Sequence, residues 1–159
     1  MDQLGKADLE SLGPARLDEA DQAELLSVQT ECSFVFLRED GWPGGVVMNY
    51  VMDEGAFWLT AVEGRAHVRA LARDARVTVV VSSAGTPLRG RRMVAIRGLA
   101  AVHRDPAIVR PWLAEFSSRL RPEDPEALRT LLDSPNRVFV EVRPVAVSVS
   151  HDHRKIPRR

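Results

Sequence analysis

The first three strand-length apolar runs of this chain follow one another with only turn residues between them. Residues 32–37, 46–52 and 56–60 are β-rich, and they are separated by Glu39-Asp40-Gly41, by Trp42-Pro43-Gly44-Gly45 and by the hairpin signal Asp53-Glu54-Gly55. Such spacing predicts three meandering antiparallel strands. Further runs at 77–83, 93–103, 137–142 and 145–150 bring the expected count to about seven, with Gly98 marking a bulge or corner in the fifth. No β-α-β repeat and no glycine-rich strand-to-helix turn interrupts the series, which excludes a dinucleotide-binding parallel sheet. Many short, half-buried strands close their own edges best as an antiparallel barrel, so the predicted class is mainly β with peripheral α.

Helical periodicity appears in four places. Residues 18–28 carry an amphipathic pattern behind the capping residue Asp18, and residues 64–73 form an alanine-rich basic stretch. Asp105-Pro106 and Asp124-Pro125 each place a cap before a proline at the first helical position. Behind the first of these, Ile108, Trp112, Leu113 and Phe116 supply an apolar stripe suited to packing. About four short helices are therefore expected around the barrel.

A length of 159 residues suits one domain. Residues 1–17 read as an extended leader, 18–152 as the folded domain and 153–159 as a basic tail. Lysine plus arginine balances aspartate plus glutamate at 22 each, so no overall field favours nucleic acid or an anionic membrane as a partner. Acids crowd the first third, whereas Arg89, Arg91, Arg92 and the tail Arg154, Lys155, Arg158 and Arg159 are basic, which leaves room for local anion sites. No run reaches the ~20 apolar residues of a membrane-spanning helix. Cys32 is the single cysteine, which fits a reducing cytoplasm and an inert core thiol. His151-Asp152-His153 lacks an evident third ligand, so no metal site is expected, and no Ser-His-Asp arrangement or nucleophile elbow supports hydrolysis.

One segment carries a family likeness. Phe57-Trp58-Leu59-Thr60, followed by Gly64-Arg65-Ala66-His67-Val68-Arg69-Ala70-Leu71-Ala72-Arg73-Asp74-Ala75-Arg76-Val77, resembles the central signature of the pyridoxamine 5′-phosphate oxidase-like split barrels. In that signature a strand ending in Thr leads to a Lys-Val-Arg-Asn-Leu-like helix and a basic-Asp-Pro-Arg-Val turn. Asp40-Gly41-Trp42-Pro43 upstream and Ile96-Arg97-Gly98-Leu99-Ala100 downstream are similar to the family's other pieces, and their order extends the likeness over residues 20–152.

The resemblance implies an antiparallel split barrel that binds FMN, or in some members a deazaflavin or haem, usually as a homodimer. It further implies an oxidoreductase acting on a small-molecule redox substrate or a reduced nicotinamide. Thr60, Arg65, His67 and Arg69 are then the candidates for the cofactor phosphate, with Arg65 and Arg69 four apart on one helix face and the helix start supplying amides. Val46, Val47, Met48 and Asn49 are the candidates for the ring's polar edge. His67 stands where the family commonly has Lys, and an ordinary imidazole carries less charge at pH 7. The Trp- and Arg-containing C-terminal signature of true pyridoxamine 5′-phosphate oxidases is not seen; the chain has Ser148-Val149-Ser150-His151-Asp152-His153 there. Hydride and electron transfer belong to the cofactor, so no catalytic side chain is named.

Overall fold

A computed structural model describes residues 13–156. Residues 1–12 of the expected leader and 157–159 of the expected tail lie outside the described residues. Six strands, β1 (Glu31–Leu37), β2 (Pro43–Asp53), β3 (Ala56–Val62), β4 (Arg76–Ser82), β5 (Arg92–His103) and β6 (Arg137–Asp152), close into one barrel. The order around it is β1-β2-β3-β6-β5-β4, with every pair antiparallel. Four helices surround or plug it: α1 (Glu19–Val28), α2 (Ala66–Leu71), α3 (Pro106–Leu120) and α4 (Pro125–Leu132). Among the described residues, no helix is long and apolar enough to cross a membrane.

Alternation sets the interior. Cys32, Phe34 and Phe36 of β1 and Val77, Val79 and Val81 of β4 are buried at every second position, meeting Leu59 of β3 and Val140 of β6. Each Val, Leu or Phe removed from water contributes about 1.5–3 kcal/mol. Outside the barrel wall a second cluster forms where Val51, Trp58 and Phe139 receive Val109, Leu113 and Phe116 of α3. There the Trp58 ring stacks on Trp112 with centroids 3.9 Å apart.

Three local expectations are corrected. The two closing runs are one 16-residue strand, β6, so the barrel has six strands; Pro144 is accommodated where the pairing with β5 shifts register, between Arg97 and Gly98. The Pro43-Gly44-Gly45 stretch, expected as loop, pairs with β1. A Cβ on Gly44 would lie 2.6 Å from the Phe36 ring, so glycine here serves packing rather than a turn. Finally, residues 13–17 of the leader are packed: Ala15 and Leu17 are buried, and the Leu17 N–H donates to Ser150 Oγ at 3.1 Å. The hairpin at Glu54-Gly55 forms as expected, with φ of 46° and 79° at its two central residues.

Candidate functional site

Where the outer wall of the barrel meets the ends of α3 and α4 there is a cleft of about 470 Å³. Val47 and Asn49 of β2 and Thr60 and Val62 of β3 enter it from the strands, Arg65 and His67 from the start of α2, and Arg137 from β6. Phe116, Leu120, Leu128 and Leu132 supply an apolar wall from the two helices. The lining is about half apolar and half polar, its polar groups being Thr30, Asn49, Thr60, His67, Arg65, Arg121 and Arg137.

Six of the eight sequence candidates border this cleft: Val47, Met48, Asn49, Thr60, Arg65 and His67. Val46 does not border it and packs against the barrel core, as does Met48, which shares its face of β2 but also reaches the cleft. Arg69 borders a separate cavity with Arg38 and Arg73, and its guanidinium turns back to the Gly64 carbonyl. The expected Arg65–Arg69 pair therefore does not converge. The helix that starts there, α2, is six residues long, and its N-cap Arg65 makes no side-chain capping hydrogen bond. Charge comes instead from Arg65 and Arg137, which the β3–β6 register (Val62 opposite Arg137) brings to one place.

Arg137 and Arg121 were not singled out from sequence. Arg137 is half-buried and its Nε donates to the Leu132 carbonyl at 2.6 Å. Burial, and secondly the Arg65 guanidinium, hold its pKa below the ordinary arginine value, with Asp133 opposing them. Arg65 has no carboxylate partner among the described residues, and Arg121 has only a loose contact to Glu123 at 3.7 Å. No Asp or Glu lines the cleft.

His67 is 8% exposed and packs against the rings of Phe34 and Phe36, centroids 6.2 and 6.0 Å away. Its buried Nε2 has no hydrogen-bond partner. Burial, reinforced by the Arg65 charge, pushes its pKa down from 6.5, so the imidazole is neutral at pH 7. Thr60 Oγ1 donates to the Val138 carbonyl at 3.0 Å and Asn49 Nδ2 to the Thr30 carbonyl at 3.1 Å; the oxygens of both side chains can still accept. Excess positive charge and an unpartnered buried nitrogen fit an anionic group with several acceptor oxygens, such as a flavin phosphate. The apolar helix wall fits a planar ring system.

Other residues weighed from sequence lie elsewhere. Burial pushes the Cys32 thiol up to about 12, as an inert core position requires. Arg92 is buried and paired with Glu24 and Asp21, while Arg91 and Arg92 border a different cavity beside Ser83 and Gly90.

No curated protein matches the chain in sequence. Solved structures share its fold. One is the heme storage protein of Vibrio cholerae, with 12% identity and a TM-score of 0.68, covering 86% of this chain and 97% of that one. Another is a FAD-binding protein of Mesorhizobium loti, with 16% identity and a TM-score of 0.61 over 84% and 91% of the two chains. A third is an F420 reductase, with 23% identity and a TM-score of 0.59 over 79% and 94%. At these identities the likeness is one of fold. The family described as pyridoxamine 5′-phosphate oxidase matches residues 19–151, which takes in the whole barrel from α1 onward. The chain belongs to that family.

Proposed function

We propose that this protein binds FMN in the cleft between β2, β3, α2 and α3 and acts as an oxidoreductase, without being a pyridoxamine 5′-phosphate oxidase. The observation that carries the reading is the meeting of Arg65, Arg137 and His67 in one cleft that contains no carboxylate. Arg65 and Arg137 would hold the phosphate, each guanidinium being able to donate two parallel hydrogen bonds. Asn49 and Thr60 would face the ring's polar edge from neighbouring strands, and Phe116 and Leu120 would keep water from its face. FMN supplies the hydride and electron transfer once bound. The protein's part is to bind, orient and shield.

The end of β6 supports setting vitamin B6 oxidation aside: residues 148–152, Ser-Val-Ser-His-Asp, contain neither the Trp nor the Arg of the true oxidases' signature. The reaction is then reduction of a small-molecule acceptor at the expense of a reduced nicotinamide, in the cytoplasm. A deazaflavin would be favoured by a basic extension of the cleft at Arg89 to Arg92, but Arg92 is occupied by Glu24 and Asp21. A haem reading has one observation on its side, the neutral unpartnered Nε2 of His67, which is an iron-ligand chemistry.

A homodimer completes the proposal. Val145, 65% exposed, shares an apolar surface with Leu99 and Leu37 along a groove of about 520 Å³, Val147 and Val149 are exposed further along β6, and a second copy would cover this face. Light scattering at micromolar concentration is expected to give twice the 17.7 kDa chain mass; a monomer would reject this part.

The test of the cofactor is an absorbance spectrum after incubation with FMN and exhaustive dialysis. Retained flavin bands, with oxidation of a reduced nicotinamide on addition of an acceptor, are the expected result. Flavin bands without turnover would make the protein a carrier. A Soret band after haem addition, with no flavin retained, would move the assignment to haem.

A further inference from the structure

Among the described residues His67 is the buried, unpartnered polar group of the cleft, and the charged side chains that line the cleft with it are all arginines, with Asp133 acting on Arg137 from beyond the lining. Arg65 precedes His67 at the start of α2, Arg137 comes from β6, and Arg121 follows α3 with Glu123 as its only counter-charge, 3.7 Å away. Arg69, one turn on, is held by the Gly64 carbonyl. From β1 His67 meets the rings of Phe34 and Phe36. The β5 side chains that pack near α2, Ala100 and Val102, are apolar. Nothing among these groups stabilises an imidazolium in the free protein.

An entering phosphate reverses that balance. Its negative charge offsets Arg65 and Arg137, and with Arg65 the repulsion that disfavours an imidazolium. We propose that His67 couples ligand binding to proton uptake: as the phosphate of the ligand seats beside Arg65 and Arg137, His67 takes one proton from solvent and faces the phosphate as an imidazolium. This rests on the reading of the cleft as a phosphate-binding site. A lysine at this position would arrive already charged; the histidine instead makes affinity a function of pH. The free protein's depressed imidazole pKa is consistent with that role.

The linkage has a definite sign. Binding raises the imidazole pKa, so affinity increases as pH falls from the bound-state pKa towards the free-state pKa, about tenfold for each unit separating them. The FMN phosphate titrates in the same region and sheds protons on binding to arginines, so the His67 contribution is read as a difference between proteins.

The experiment is calorimetric titration of FMN into wild-type protein, His67→Gln and His67→Lys at pH 7, in PIPES and in imidazole buffer, whose different ionisation heats report the protons exchanged. Thermal melts establish that each variant is folded. Wild type is expected to take up more protons per FMN than either variant, by up to one. The ratio of wild-type to His67→Lys affinity is expected to fall several-fold between pH 6 and pH 8. FMN binding with equal proton counts in wild type and a folded variant would overturn the coupling and leave the phosphate site standing. Failure of all three proteins to bind FMN would overturn both.

Discussion

At Arg137 two unfavourable terms meet, since the guanidinium is half-buried and faces a second guanidinium, Arg65. An anion relieves both. Arg137→Ala and Arg65→Ala should each weaken FMN binding by about 10- to 100-fold, the 1.5–3 kcal/mol of a charge-assisted hydrogen bond, in a fluorescence-quenching titration. Arg69→Ala, on a residue that borders another cavity, should change affinity less than threefold. His67 also predicts a stability profile. Its folded pKa lies below the unfolded value of about 6.5, so the unfolded chain binds more protons between the two values. The His67 contribution is full above pH 6.5 and is lost as pH falls towards the folded pKa. Melting temperature should therefore fall on acidification less steeply in His67→Gln than in wild type. Arg65 and His67 were legible in the sequence because they sit a few residues from Thr60 in a recognisable order. Arg137 was not: 77 residues separate it from Thr60, and only the pairing of Val62 with Arg137 makes them neighbours.

Elements were legible where a local signal was strong. Asp105 and Asp124 cap α3 and α4 as expected, accepting from Ala107 N at 2.9 Å and Ala127 N at 3.1 Å. Replacing Asp105 by Ala should cost about 1 kcal/mol in a urea unfolding experiment. The same reasoning failed at Pro144, where proline suggested a strand end. In the structure it sits opposite Gly98 of β5, at the register shift that lets β6 continue. A Cβ on Gly98 would come within 2.5 Å of Val142 Cγ1 and 2.9 Å of the Arg143 carbonyl oxygen, so backbone as well as side chain would have to move. Gly98→Ala should destabilise by about 1–3 kcal/mol by the same measurement, whereas Gly64→Ala, with open space around it, should cost much less.

Across the whole molecule, the uneven charge of the sequence resolves into a latch. Among the described residues, Asp18, Asp21 and Glu24 meet bases from distant parts of the chain: Arg154 joins Asp21 at 2.7 Å and its own neighbour Asp152 at 2.6 Å, Lys155 joins Asp18 and Asp21, and the buried Arg92 joins Glu24 and Asp21. Composition could reveal the asymmetry but not its pairing, because partners such as Asp21 and Arg154 lie 133 residues apart and meet only when the barrel closes. With its ends fastened there, the barrel presents the opposite resource, unneutralised arginine, at the cleft beside α2. That contrast is the core of the functional reading. The most direct measurement is an FMN titration of wild type against the Arg65→Ala/Arg137→Ala double variant, both verified as folded. Tight binding by wild type and a loss of at least about 100-fold in the variant is the result expected from two charge-assisted contacts. Equal affinity in the two proteins, or no binding by wild type, would contradict the assignment of this cleft as the flavin phosphate site.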